Sequence, residues 1–146
     1  MKLIIGREDK ADFPEFNLEN IAIKIDSGAY TSSLSCCNIE ETIKDGEKVL
    51  KYNVLDKKHE QYKSEAFFTK FYDLKKVKSS NGIVEERYRI KTEIIIFNER
   101  FNIYLTLTER KKMKFPVLLG RKFLNKKFVI DTAKKNISHK LKYKNT

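Results

Sequence analysis

Residues 23–29 read IKIDSGA, an aliphatic stretch that runs straight into Asp-Ser-Gly-Ala. Ile21, Ile23 and Ile25 alternate with Ala22 and Lys24, the period-two signature of a half-buried strand. A carboxylate, Asp26, therefore stands at the end of a strand with one buried face, and the chain turns at once. Two readings compete. Asp and Ser bind their own backbone in turns and Gly tolerates positive φ, so a plain polar turn is the commoner meaning of D-S-G. The alternative is a catalytic aspartate on a tight loop, and that reading needs a second element elsewhere in the chain.

The same period dominates the rest of the sequence. FNIYLTLT (101–108) sets Phe101, Ile103, Leu105 and Leu107 against Asn102, Tyr104, Thr106 and Thr108. YRIKTEII (88–95) and the run Leu50, Tyr52, Val54 repeat the pattern. Asp45-Gly46 and Asn81-Gly82 are strong hairpin pairs, because type I′ turns need positive φ at both central residues. Asn98-Glu99-Arg100 reads as another reversal. One short helix is expected near the C-terminus, over 121–126. The sum is about eight strands and one helix: an all-β domain that closes into a barrel. No internal repeat or linker is evident. The economical division is a β-barrel domain over 1–137 and a loose basic tail over 138–146.

The chain has 146 residues, enough for one domain with one core. No stretch approaches the roughly 18 apolar residues of a membrane span, and residues 1–20 lack the core of a signal peptide. The expected setting is the cytoplasm, with no membrane partner. Cys36 and Cys37, the only cysteines, are adjacent, so they build no disulfide framework and no ordinary tetrahedral zinc site. The only histidines are His59 and His139, each in a charged context, which leaves a Ser–His–Asp triad without a natural base. No GxxxxGK[ST] loop is present. We therefore expect no metal and no cofactor. Cys36 sits in SLSCCN, which fits a strand of small side chains better than a nucleophile.

The formal net charge of +11 is concentrated. Residues 1–109 hold 18 Lys and Arg against 19 Asp and Glu; residues 110–146 hold 13 against the single acid Asp131. Such a patch attracts anions such as an acidic peptide, RNA or a ribosome surface, although a charge run can equally be a solvated face.

The second element that Asp26 needs is PVLLGRKFL (116–124): a short apolar strand, then Gly120, then a helix that begins at Arg121. An apolar strand ending in D-[ST]-G-A, followed some 90 residues later by apolar-apolar-G-R, resembles the retropepsin-type aspartic protease. The order between them also fits. A hairpin at Ser79, Ser80, Asn81 and Gly82 takes the place of the flap that closes over substrate, followed by two long strands and the Gly-Arg motif. The likeness is closer to the RimB-like proteins, also labelled ATP-dependent zinc proteases, through IIGRE, KIDSGAYTSSL, VKSSNGIVEERYRI, LTLTERKKMKFPVLLGRKFL and FVIDTA. It covers about residues 3–133. Tyr30 stands where that family carries a basic residue, and Ser35 where it carries a histidine. In retropepsins the arginine of the Gly-Arg motif pairs with an acid just after the catalytic triplet. Tyr30 fills that place here, leaving Asp131 or the loop backbone as partners for Arg121.

The resemblance implies a retropepsin-like barrel and an aspartic peptidase, with Asp26 catalytic, Ser27, Gly28 and Ala29 shaping its loop, and Gly120 and Arg121 supporting it. One chain supplies one D-S-G: FVIDTA (128–133) holds a second Asp-Thr, but Ala133 replaces the glycine, and the resemblance places it in the closing strand rather than in a second active loop. This chemistry needs two aspartates, so a symmetric homodimer is implied. Two carboxylates about 4 Å apart at an effective dielectric near 20 repel by roughly 4 kcal/mol, so the pair shares a proton. Resemblance and charge together point to a peptide or glutamylated, ribosome-associated protein as substrate. Two rivals stay open: a retropepsin-fold binding or regulatory module without catalysis, and a nucleic-acid-binding barrel with AFFTKFY (66–72) as its stacking stretch.

Overall fold

The alternation in the sequence becomes sheet. Ile21, Ile23 and Ile25 are buried while Lys24 faces solvent, and Ile103, Leu105 and Leu107 are buried while Asn102 and Tyr104 are not. The structure, a computed structural model, describes residues 1–78, 81–109 and 114–144. In chain order these form β1 (Leu3–Ile5), β2 (Glu8–Phe13), a 3-10 turn (Pro14–Phe16), β3 (Leu18–Ile25), β4 (Ser32–Lys44), β5 (Glu47–Val54) and β6 (Phe67–Thr69). Then follow β7 (Asp73–Lys78), β8 (Val84–Ile96), β9 (Glu99–Thr108), β10 (Val117–Leu119), α1 (Arg121–Leu124), β11 (Phe128–Ile130) and α2 (Ile137–Lys142). The protein is mostly β, with eleven described strands rather than eight and two short helices rather than one. Among the described residues no helix is long and apolar enough to cross a membrane.

Nine strands share one sheet in the order β10-β3-β2-β8-β9-β4-β5-β6, with β7 beside β8. β10 also pairs with β4. The hydrogen-bonded path through β3, β2, β8, β9, β4 and β10 thus returns to β3, and β10 lies between the two strands that flank residues 26–31. It runs parallel to β3, with Leu119 opposite Ile25, and antiparallel to β4, with Val117 opposite Leu34. Phe13, Ile21, Leu34, Ile94, Leu105 and Leu119 belong to one buried apolar cluster. β1 and β11 form a separate parallel pair.

The β4–β5 hairpin turns at Asp45 and Gly46, both at positive φ (52° and 80°), as a type I′ turn requires. β6 adds to the edge of β5. There Phe67 packs edge-on against Phe16, with ring centroids 5.1 Å apart, and stacks on Tyr52. AFFTKFY is therefore divided: Phe67 joins the core, while Phe68 and Phe71 are exposed.

Three expectations are corrected. The β8–β9 reversal falls one residue early, on Phe97 and Asn98, both at positive φ. Phe97 tolerates that backbone because tertiary contacts hold it: its N–H donates to Ser138 Oγ at 2.7 Å and its ring packs on Phe128. Lys78 pairs with Val84, so the β7–β8 connection is longer than a two-residue Asn-Gly turn. Of the loose tail expected over 138–146, the stretch to Lys142 is instead part of α2, docked on β2. Buried Asp9 accepts the N–H groups of Ser138 (2.8 Å) and His139 (3.0 Å), and Lys142 Nζ reaches Asp12 at 2.8 Å. The helix has no cap from its own N-terminal residue Asn136; a carboxylate from far earlier in the sequence does that work, which no local signal announces.

Candidate active site

Asp26 leaves the end of β3 with its backbone N–H donated to Leu119 O of β10 at 2.9 Å. Its Oδ1 accepts the Gly28 N–H at 3.0 Å, and its carbonyl accepts the Ala29 N–H at 3.2 Å, closing a tight turn. The carboxylate is half-buried, whereas Ser27, Gly28 and Tyr30 are exposed. α1 holds the turn from below: the N–H groups of Arg121 and Lys122 donate to the carbonyls of Ala29 (2.8 Å) and Tyr30 (2.9 Å). Gly120 has no room for a side chain, since a Cβ there would lie 2.5 Å from Thr31 O. Its N–H donates to the buried Ser32 Oγ at 3.0 Å. The choice left open for Arg121 resolves onto the loop backbone: Nη1 donates to Ser27 O at 2.8 Å, and the guanidinium lies 5.7 Å from the Tyr30 ring centroid.

The structure thus brings Asp26, Ser27, Gly28, Ala29, Gly120 and Arg121 together. Asn81 and Gly82 are exposed and lie between β7 and β8, with Gly82 at φ 84°. Ser79 and Ser80, the other two expected flap residues, lie outside the described residues. Ser32 was missed. In TSSL nothing distinguishes it from buried Ser33, and only the folded chain puts its hydroxyl under Gly120. Burial pushes the Cys36 thiol well up in pKa, the wrong direction for a nucleophile. Among the described residues no cluster of three or more His, Cys, Asp or Glu could hold a metal ion.

The expectation of no internal repeat is corrected as well. The turn and its clamp occur twice. Asp131 follows β11 as Asp26 follows β3, and its N–H donates to Ile5 O of β1 at 2.8 Å. Asp131 Oδ1 accepts from Ala133 N at 3.0 Å, and the Asp131 carbonyl accepts from Lys134 N at 3.1 Å. Gly6-Arg7 plays the part of Gly120-Arg121. Arg7 N–H donates to Lys134 O at 2.8 Å, and Arg7 Nη1 reaches Thr132 O at 3.4 Å. A Cβ on Gly6 would collide with the Lys134 carbonyl. The strand registers agree as well, Ile25 opposite Leu119 and Ile130 opposite Ile5. The two modules touch where Ile25 N–H donates to Arg7 O at 3.0 Å. They differ at one telling position: Gly28 in one is Ala133 in the other.

A family model described as RimB-like, retropepsin-like aspartic endopeptidase RimB, matches residues 4–141. The chain belongs to the RimB-like family. It is 33% identical over 132 residues to a probable alpha-L-glutamate ligase of Shewanella halifaxensis (strain HAW-EB4), covering 90% of this chain and 29% of that protein. A protein of the same description from Desulfotalea psychrophila (strain LSv54 / DSM 12343) is also 33% identical over 132 residues, with 28% of its length covered. The chain therefore spans under a third of the length of these relatives. Among solved structures, a Legionella pneumophila protein described as of unknown function superposes with a TM-score of 0.71 at 26% identity, covering 94% of this chain and 99% of that one.

Proposed function

We propose that the chain is an aspartic peptidase of retropepsin type, built on a closed six-strand barrel and active as a homodimer in which two copies of Asp26 meet on a two-fold axis. The observation that carries this is the clamp on Asp26. A carboxylate at a strand end, with its backbone fixed by β10 and α1 and its loop open to solvent, is held rigidly where a second copy could reach it. The ionised member of the pair takes a proton from water as that water attacks the peptide carbonyl. The protonated member gives its proton to the carbonyl oxygen as the tetrahedral intermediate forms. Gly28, without a Cβ, admits substrate backbone beside the carboxylates. The β7–β8 hairpin is the flap that excludes water.

The substrate we propose is the glutamyl tail of a modified protein in the cytoplasm. Two observations support it: relatives several-fold longer are called glutamate ligases, and the C-terminal quarter is strongly cationic. The ligase name itself belongs to proteins of which this chain's match is under a third.

The repeated turn supplies the control. Asp131 has the same backbone clamp as Asp26, but Ala133 places a methyl group where Gly28 leaves space. With a glutamylated peptide as substrate, Asp26→Asn is expected to abolish cleavage with the fold retained, and Asp131→Asn to leave cleavage standing. Cleavage by the Asp26 variant would end the assignment. A wild-type chain that binds the peptide without cutting it would favour the binding-module reading.

A further inference from the structure

On the outer face of β9, beside α1, lies a cleft of about 110 Å³ that the chemistry above does not use. Thr31, Arg89, Asn102, Tyr104, Lys122 and Lys127 line it. Three cations converge on the Tyr104 ring: Arg89 at 4.8 Å, Lys122 at 5.1 Å and Lys91 at 5.9 Å from its centroid. They come from different elements, Arg89 and Lys91 from β8 and Lys122 from α1, so local sequence does not force them together. The nearby acids are already engaged. Asp73 holds Arg89 through bonds of 2.9 and 2.6 Å, and Glu93, opposite Asn102 in the ladder, pairs with Arg100 at 3.2 Å. Lys127 Nζ donates to Phe123 O at 3.1 Å. Among the described residues no carboxylate lies within ion-pair distance of Lys91, Lys122 or Lys127, although Asp73, already bound to Arg89, also feels the charge of Lys122. Like charges gathered on a concave surface repel one another and concentrate anions there.

We infer that this cleft binds a single oxyanion, a carboxylate or a phosphate group, between Lys122, Lys127 and Arg89, with Asn102 and Thr31 as neutral partners. The space suits one such group. Charge-assisted donors on three sides give it directional bonds as well as Coulomb attraction. The site adjoins the Asp26 turn without belonging to it. The Lys122 N–H holds the Tyr30 carbonyl, and Ser32, which also lines the cleft, holds the Gly120 N–H. An occupant therefore bears on α1 and, through it, on the turn.

The test is a ¹H–¹⁵N NMR titration of the whole chain at constant ionic strength, once with inorganic phosphate and once with a triglutamate peptide. The amides of Thr31, Asn102, Tyr104 and Lys122 are expected to shift saturably. The Lys122→Gln/Lys127→Gln double variant should weaken binding by about tenfold or more, while Lys76→Gln on exposed β7 leaves it unchanged. A response to phosphate alone, to the peptide alone, or to both supports the site and names the oxyanion it prefers. The spectrum of the double variant reports its fold directly, so loss of binding is read on a folded protein. Absence of saturable shifts with either probe overturns the inference, as does binding that the double variant keeps in full.

Discussion

Gly120 and Gly46 are glycines for opposite physical reasons. Gly120 has an ordinary φ of −95°, but a Cβ would meet Thr31 O at 2.5 Å and Tyr30 O at 2.7 Å. Gly46 has open space around it, but its φ of 80° strains the backbone of a residue that carries a side chain. Gly120→Ala must push α1 away from the Asp26 turn, and it is expected to cost about 2 kcal/mol or more, as overpacking against backbone does. Gly46→Ala is expected to cost about 1 kcal/mol from backbone strain. Urea unfolding separates the two, and cleavage assays separate them further, because Gly120→Ala should lose activity out of proportion to its stability. Glu41 offers a pH-dependent counterpart. Its carboxylate accepts the hydroxyls of Tyr72 (2.6 Å) and Tyr88 (3.0 Å) and faces Lys48 Nζ at 3.2 Å. The Tyr72 bond first, then Lys48 and Tyr88, hold the Glu41 carboxyl below its ordinary pKa, and the same bond pushes the Tyr72 phenol up to about 12. A depressed carboxyl stabilises the fold above its unfolded pKa, and that contribution fades as pH falls through the folded value. The stability gap between wild type and Glu41→Gln should therefore narrow on acidification below the normal glutamate range. A gap unchanged there would show that the carboxylate's charge is not what ties β4 to Tyr72 and β8.

At the scale of elements, α2 depends on groups far from it in sequence. Ser138 Oγ is the acceptor for the Phe97 N–H at a left-handed position, and Asp9 caps the helix from β2. Ser138→Ala leaves that buried N–H without its partner and is expected to destabilise by about 1–3 kcal/mol. Hydrogen exchange should show the loss at the β8–β9 turn as well as in α2. A change confined to α2 would contradict this coupling. The same contrast between local and distant determinants explains what the sequence revealed. β3, β8 and β9 were legible because each buries one face and so alternates. The Asp45-Gly46 turn was legible because its two residues suffice to set its conformation. α2 was not, since its cap is Asp9. The repeated aspartate turn was legible only in part: FVIDTA shows a second Asp-Thr with Ala133 for the glycine, but not that IIGR clamps it as LLGR clamps IKIDSGA. Each module is too short for a fixed-period search, and the two occur in opposite order: glycine-arginine precedes its aspartate in one and follows it in the other. At the candidate site, Asp26 and its Gly-Arg clamp were legible as motifs, whereas Ser32 and the Arg121–Ser27 bond exist only through the crossing of β10 between β3 and β4.

For the whole molecule, the proposal rests on number. Each chain presents one aspartate turn with a glycine beside the carboxylate, and its backbone is clamped before any partner arrives. On that proposal association has only to bring two prepared halves together, and a shared proton would relieve the repulsion between the two carboxylates. If Asp26 works only opposite a second Asp26, an inactive chain must poison an active one. The measurement is a titration of Asp26→Asn into a fixed amount of wild type, with subunits allowed to exchange and peptide cleavage as the readout. Activity should fall towards zero as mixed dimers take up the wild-type chains. Activity that stays constant however much inactive chain is added would mean that a single chain carries the whole site, and would contradict the two-fold Asp26 pair.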